Sequence, residues 1–352
     1  VGSASIRADP AADPVGGGSW WRRGLGVLVV AAVATTFSEV FYWYSGGTDY
    51  PGRVVFYLIP TTALLWTLAR FPTGGWPAIV LAGAVYGFVT EGVLTGIVYG
   101  AFPFDPFAIS YTALAWHAPL TVGFGLLLLH RLLARGTPAR TLGAIAGFGA
   151  FWGGWALQLQ LPADDDTEIP GLGPLVGDVA VLTFACYTAA ATAVVAVGHL
   201  VLGRLIRTED LQVRRPWALL MLLAGIASLA LLVLPSVWWA PLELAVLLGC
   251  CLFALARWQQ PRPSRSPAPP VLPLLTEPIP TRRLAYLAAL PAAAVATYAT
   301  GVALDPSDNS LQALQTAIVT SQSLLGATLF LLAVWIACRR PPTARPMTPP
   351  VE

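Results

Sequence analysis

The sequence predicts an all-α fold: a polytopic bundle of about ten transmembrane helices with both termini in the cytoplasm. Three observations lead there. Hydrophobic residues make up 56% of the 352 and charged residues only 11%, with a mean hydropathy of +0.68, whereas a soluble domain carries about 25% charged residues. The apolar residues fall into ten runs, each near the ~20 residues that a span requires. The basic residues lie almost entirely on one side of those runs. Disorder, a collagen repeat and a disulfide scaffold are excluded by the same composition, with four Cys and no Gly-X-Y period.

The ten runs cover residues 24–45, 54–71, 76–100, 107–134, 140–160, 175–203, 217–235, 237–257, 284–304 and 311–337. Helices are required because an open strand would leave backbone groups unpaired in lipid. The first run follows Arg22-Arg23 and includes Ala32-Val33-Ala34, as a signal peptide would. It continues to Tyr44, long enough to span, so an uncleaved first helix is expected. With the N-terminus inside, every Arg except Arg53 falls in an inner loop or tail, and there is no Lys in the chain. Such asymmetry is the positive-inside pattern, and losing or adding one central helix would scramble it. The outer loops are acidic instead, with Asp49, Asp105, Asp164, Asp165, Asp166, Glu168, Asp305 and Asp308. The location this implies is a bacterial inner membrane, multi-pass, with a cytoplasmic N-terminus.

Composition divides the chain further. Residues 1–19 read as a disordered cytoplasmic tail and 20–258 as an eight-helix membrane body. Residues 259–281 hold eight prolines and read as an extended cytoplasmic linker. Residues 282–337 form a terminal helical pair, and 338–352 a Pro-rich cytoplasmic tail. The four Cys lie in or beside apolar runs and read as small buried hydrophobes. No clear internal repeat accompanies the ten spans.

Ionisable side chains cost about 2.5–3.5 kcal/mol each in the middle of a span, so the few present carry information. They are Glu39, Glu91, His117, Asp178 and Glu243. Counting from the outer helix ends at about 1.5 Å per residue puts Glu39 roughly 9 Å deep, Glu91 roughly 12 Å and His117 roughly 15 Å. Asp178 and Glu243 come out shallower, so all five are expected in the outer half of the membrane. No Arg is expected at mid-span to neutralise them.

Glu91 sits in a helix where Gly83, Gly87, Thr95 and Tyr99 recur every four residues, a pattern that lets backbones approach closely. A carboxyl held there faces protein and suits the carrying or donating of a proton. Ser110, His117 and Thr121 share a face of the fourth run, where Pro119 removes a backbone hydrogen bond. Glu91, Glu39 and His117 are therefore the candidate catalytic groups. Thr95, Ser110, Thr121, Asp178 and Glu243 are the candidate substrate-binding groups. The other two histidines, His130 and His199, lie near inner helix ends and read as interfacial. The glycines of the fifth run read as a packing seam, and the polar residues of the tenth, Gln315 among them, as glue or as a cavity wall.

No H-E-x-x-H, G-x-S-x-G or Walker A motif occurs, and no basic face suits nucleic acid. The run Glu91–Gly96 followed by Phe102-Pro103-Phe104 resembles a motif of membrane carotenoid-biosynthesis proteins over a short stretch, with a different spacing, and identifies no family. The leading expectation is a proton- or cation-coupled transporter, because carboxyls and an imidazole in the outer half would attract protons or a cationic solute. A membrane-embedded enzyme acting on a lipid or isoprenoid is the alternative. It would use Glu91 as general acid or hold a metal on Glu39, Glu91 and His117. A non-catalytic subunit or scaffold is the third. Partners are the bilayer and a small cation, proton or lipid; cofactor and oligomeric state are left open.

Overall fold

The computed structural model describes residues 20–43, 49–72, 74–161, 179–260 and 269–339. The acidic loop 164–168, Asp178, and most of both expected tails lie outside them. Among the described residues the chain is helical throughout, with no strand, and nine helices are long and apolar enough to cross a membrane.

Ten main helices are numbered here in chain order: α1 (Trp20–Val40), α2 (Tyr50–Arg70), α3 (Trp76–Thr95), α4 (Pro106–Arg135), α5 (Pro138–Trp155), α6 (Val181–Leu205), α7 (Arg215–Ser228, continuing through Leu229–Val233), α8 (Ala240–Gln259), α9 (Thr281–Ala303) and α10 (Asp308–Cys338). Nine satisfy length and hydropathy together. The other is α5, which lies where the fifth span was expected and continues into a 3-10 turn, Ala156–Gln160. Prolines begin α4 and α5 and stand at the first turns of α2, α3, α7 and α8, where their missing N–H costs nothing.

Burial separates an inner set of helices from an outer one. The spanning windows of α1, α3 and α4 are 67%, 83% and 72% buried, against 11% for α7. Leu220, Leu223, Leu231 and Leu232 of α7 and Leu324, Leu325, Leu331 and Trp335 of α10 point outward. An exterior this apolar is consistent with an integral, multi-pass membrane protein. Of the cysteines, only Cys251 is fully buried; Cys186 and Cys250 face outward, so the expectation of four buried thiols is corrected.

Small residues bring the inner helices together. A Cβ on Gly83 would stand 2.8 Å from the Ala118 Cα of α4, and one on Gly87 would meet the Ala113 carbonyl. On α5, Gly149 and Gly153 abut the Leu290 and Ala294 carbonyls of α9, whereas Gly143 and Gly147 face open space. Aromatic side chains fill the spaces left elsewhere. Phe37 of α1 and Phe41 just after it pack on Phe148 of α5 at ring distances of 5.3 and 5.6 Å. Phe184 of α6 stacks near Tyr298 of α9 at 4.3 Å.

The described part of the terminal pair packs on the rest of the bundle. α9 runs along α5 and α6, and α10 packs on α3 and α4. From residue 269 onward, the described part of the expected linker folds onto the bundle. Val271, Leu272, Leu275 and Ile279 are buried, and Gly203 of α6 lets the Glu277 carbonyl approach within 2.8 Å of where its Cβ would be. Proline content suggested an extended chain, but the apolar residues between the prolines decide the outcome. Gln315 of α10 donates to Gln158 at 3.0 Å, so here the polar stretch of α10 binds it to the body.

The two glycine environments on α5 give a direct comparison. Gly153→Ala should destabilise the protein by about 1–3 kcal/mol through overpacking, while Gly147→Ala should be neutral or stabilising by up to about 1 kcal/mol. Thermal unfolding in detergent, followed by helical circular dichroism, checks this; equal midpoints for the two variants would contradict the α5–α9 contact.

Candidate functional site

The three ionisable residues singled out in α1, α3 and α4 all lie where the helix widens into π-helical turns. These are Thr36–Val40 for Glu39, Thr90–Thr95 for Glu91 and Ser110–Leu128 for His117. An i→i+5 turn leaves carbonyls displaced from the regular ladder, and such turns concentrate at functional sites. In α1, side chains from neighbouring helices take up these carbonyls. Trp116 Nε1 donates to Phe37 O at 2.8 Å and Tyr187 OH to Val40 O at 2.7 Å, and just beyond the turn Trp155 Nε1 donates to Tyr42 O at 2.9 Å. The backbone at membrane depth is thus satisfied by protein.

Glu91 and His117 face each other across the α3–α4 contact. Glu91 Oε1 lies 2.6 Å from His117 Nε2, and the two residues are 5% and 2% exposed. The other carboxylate oxygen accepts from Thr95 Oγ1 at 2.7 Å. Thr95 is exposed, and Gly96 behind it takes φ +76°, a left-handed conformation that ends the helix. One end of the pair therefore touches the surface through a hydroxyl, while the rest is sealed.

On its inner side His117 Nδ1 meets Ser38 Oγ at 3.2 Å. Ser38 also contacts Thr121 Oγ1 at 3.1 Å and Tyr86 OH at 3.3 Å. The arrangement tolerates a change of protonation. With a neutral ring, Nε2–H donates to the carboxylate and Nδ1 accepts from Ser38. With an added proton, Nδ1–H donates to Ser38, whose hydroxyl rotates toward Thr121 or Tyr86. Neither state strands a polar atom.

Glu39 forms a second, adjoining group. The position next to Ser38 on a helix points it away, toward α2. Its carboxylate accepts from Arg53 Nη1 at 2.7 Å and from Tyr57 OH. The Tyr57 and Tyr86 rings lie 6.3 Å apart, and Tyr86 meets the His117 ring edge-on at 5.6 Å, so aromatic faces join the two groups. The expectation that no arginine neutralises these carboxylates is thus corrected for Glu39. Arg53 occupies the first turn of α2, near enough to reach back, and His117 partners Glu91.

The remaining expected residues divide. Thr95 and Thr121 belong to the cluster. Ser110 donates to Phe107 O at 3.1 Å, a local bond within its own helix. Glu243 is fully buried and accepts from Phe104 N at 3.0 Å, pinning the loop before α4. Asp178 lies outside the described residues. The metal set of Glu39, Glu91 and His117 is not assembled, because Arg53 and Tyr57 occupy the Glu39 carboxylate. Among the described residues no three His, Cys, Asp or Glu are arranged to hold an ion. His130 and His199, expected at the interface, are instead fully buried and contact each other.

Sequence reasoning missed Ser38, Tyr57, Tyr86 and Arg53 as members. One signal was available: Arg53 and Tyr57 are four residues apart and share a helix face.

Arg53→Met should leave the Glu39 carboxylate without its cation and cost up to about 3–5 kcal/mol. The double variant Arg53→Met with Glu39→Gln should recover most of that loss. A double-mutant cycle of unfolding free energies reads it, and additive effects would deny the ion pair. Comparison with known proteins finds no family model that matches this chain and no curated protein or solved structure that matches it.

Proposed function

We propose that the chain is a proton- or cation-coupled transporter of a bacterial inner membrane, built from ten spans with both termini cytoplasmic. α5 supplies the tenth span in this reading, and the ten-span count leaves Arg53 as the lone outer arginine. That residue has a local reason to be there, since it meets Glu39. The observation that carries the function is the Glu91–His117 contact at 2.6 Å inside a hydroxyl network. A group that takes up or releases a proton without losing a hydrogen bond is what coupling to a proton requires, and buried acids with imidazoles form such relays in membrane proteins. Exposed Thr95 gives the pair its approach from the end expected to face outward. Proton and cation coupling share this chemistry, because deprotonated Glu91 offers a carboxylate to either.

A second reading is favoured by a cavity of about 550 Å³ between α2, α3, α7 and α8. Ile59, Val89, Val93, Leu219, Gly225 and Leu244 line it, and Val89 and Val93 flank Glu91 along α3. Its size falls within the roughly 300–1,000 Å³ of ligand pockets, and its apolar wall suits an acyl or isoprenoid chain. An enzyme acting on such a chain would use Glu91 and His117 as an acid–base pair.

Protein reconstituted in liposomes separates the readings. Under transport, adding Na⁺, K⁺, guanidinium, choline or a polyamine to a solid-supported membrane gives a pH-dependent current, and Glu91→Gln reduces it at least tenfold. Under the enzyme reading, no solute gives a current. A lipid extract then shows a mass change on incubation that Glu91→Gln or His117→Gln abolishes. Currents unaltered in Glu91→Gln would remove the pair from either role.

A further inference from the structure

The chain has three histidines, and all three are buried and paired. Two of them lie away from the candidate site. His130 is in the last turns of α4, and His199 is near the end of α6. Their Nδ1 atoms stand 3.0 Å apart. His130 Nε2 is 3.0 Å from the carbonyl of Glu277, and His199 Nε2 is 3.1 Å from the carbonyl of Gly125. Both rings are fully shielded from solvent.

These contacts can be counted in hydrogens. A carbonyl oxygen only accepts, so each Nε2 must carry a hydrogen to bond it. A neutral imidazole has one ring hydrogen, and in each ring that hydrogen is then spent on Nε2. The two Nδ1 atoms would be left with lone pairs facing each other at hydrogen-bond distance. Three contacts need three hydrogens, and two neutral rings supply two. Turning either ring over puts carbon where nitrogen stands and forfeits both of that ring's bonds.

We infer that His130 and His199 form a proton-binding site, holding one proton beyond neutrality between their Nδ1 atoms. The uptake is simple: one Nδ1 lone pair gains a proton and donates it to the other. Burial opposes the added charge, while two carbonyl dipoles and the charge-assisted bond favour it. The charged neighbours are each tied to partners. Arg135 binds the Glu277 carboxylate at 2.6 Å, Arg283 donates to Leu133 O, Arg204 donates to Thr281, and Asp210 accepts from Arg207 N. Arg131, next to His130, is exposed.

The site lies at the opposite end of α4 from His117. Thirteen residues separate them, about 20 Å at the α-helical rise and somewhat less in wider turns. One helix thus carries two proton stations, Glu91–His117 toward one membrane face and His130–His199 toward the other. The hydrogen count at the second pair stands whether or not the first one serves transport.

Because there are only three histidines, ¹⁵N-histidine labelling of the full chain in lipid nanodiscs reads the site directly. His117→Gln removes one ring's signals and assigns the rest. At neutral pH, three of the four ring nitrogens of His130 and His199 should be protonated: both Nε2, and one hydrogen shared by the two Nδ1. In His199→Gln, the His130 ring should revert to a single hydrogen. Two neutral rings, or either Nε2 found bare, would overturn the inference. The count on the wild-type chain decides the matter even if His199→Gln does not fold, and it is independent of any transport current.

Discussion

Glu91 meets His117 between two helices that approach closely enough for their backbones to touch, and much of the surrounding structure follows from satisfying that contact. A carboxyl in hydrocarbon has no water to bond, so its partners must be supplied by protein. Gly83 and Gly87 remove the side chains that would hold α3 away from Ala113 and Ala118 of α4. His117 is then within reach of Glu91, and Thr95, one turn on, closes the other oxygen. Gly326 of α10 makes the same kind of approach to Leu114 from another direction. The stripe of small residues and the ionisable pair are therefore one design: close packing positions the pair, and the pair makes the close packing specific.

The widened turns extend this argument to the backbone. A π-helical turn shifts side chains around the helix axis and disturbs the ladder, which in lipid is acceptable only when other groups compensate. In α1 the compensation comes from Trp116 and Tyr187, whose polar atoms bond the Phe37 and Val40 carbonyls, and Trp155 does the same for Tyr42 just beyond it. These aromatic side chains fill space and supply donors together. Ser38 and Glu39 can then sit side by side yet serve different partners, one on α4 and the other on α2. The net effect is a polar interior divided into two partnered groups, Glu91 with His117 and Glu39 with Arg53. A like-charged cluster of acids would have been far more costly.

The helical class was readable from the sequence because hydropathy acts locally, and the small-residue spacing around Glu91 marked α3 as a helix that faces protein. Glu91 and His117 were legible because each is anomalous in its own span, and Thr95 and Thr121 because each lies four residues from one of them on the same helix face. Ser38, Tyr57 and Tyr86 were not, since a hydroxyl or phenol in a span is ordinary until its partner is known. Arg53 was misread because charge counting treats a loop-end arginine as water-facing, whereas its position on α2 lets it turn inward. The packed segment around Val271–Ile279 was hidden by its prolines, whose effect on the backbone says nothing about where the apolar side chains between them go. Glu243 shows the converse. It was anomalous in sequence, yet it secures Phe104 in a loop and takes no part in the cluster.

The distribution of polar groups also bears on what the bundle can do. Cluster and cavity lie on different sides of α3: Glu91 turns toward α4, while Val89 and Val93 turn toward the space bounded by α2, α7 and α8. Residues two apart on a helix point to roughly opposite sides, so a chain lodged in that cavity would meet the apolar back of α3 and not the carboxylate. Chemistry on such a chain would need α3 to rotate or the chain to end beyond Thr95. Proton exchange needs neither, since the path from exposed Thr95 through Glu91 to His117 is already joined by hydrogen bonds. The geometry of that one helix is the physical reason to rank proton coupling above lipid chemistry.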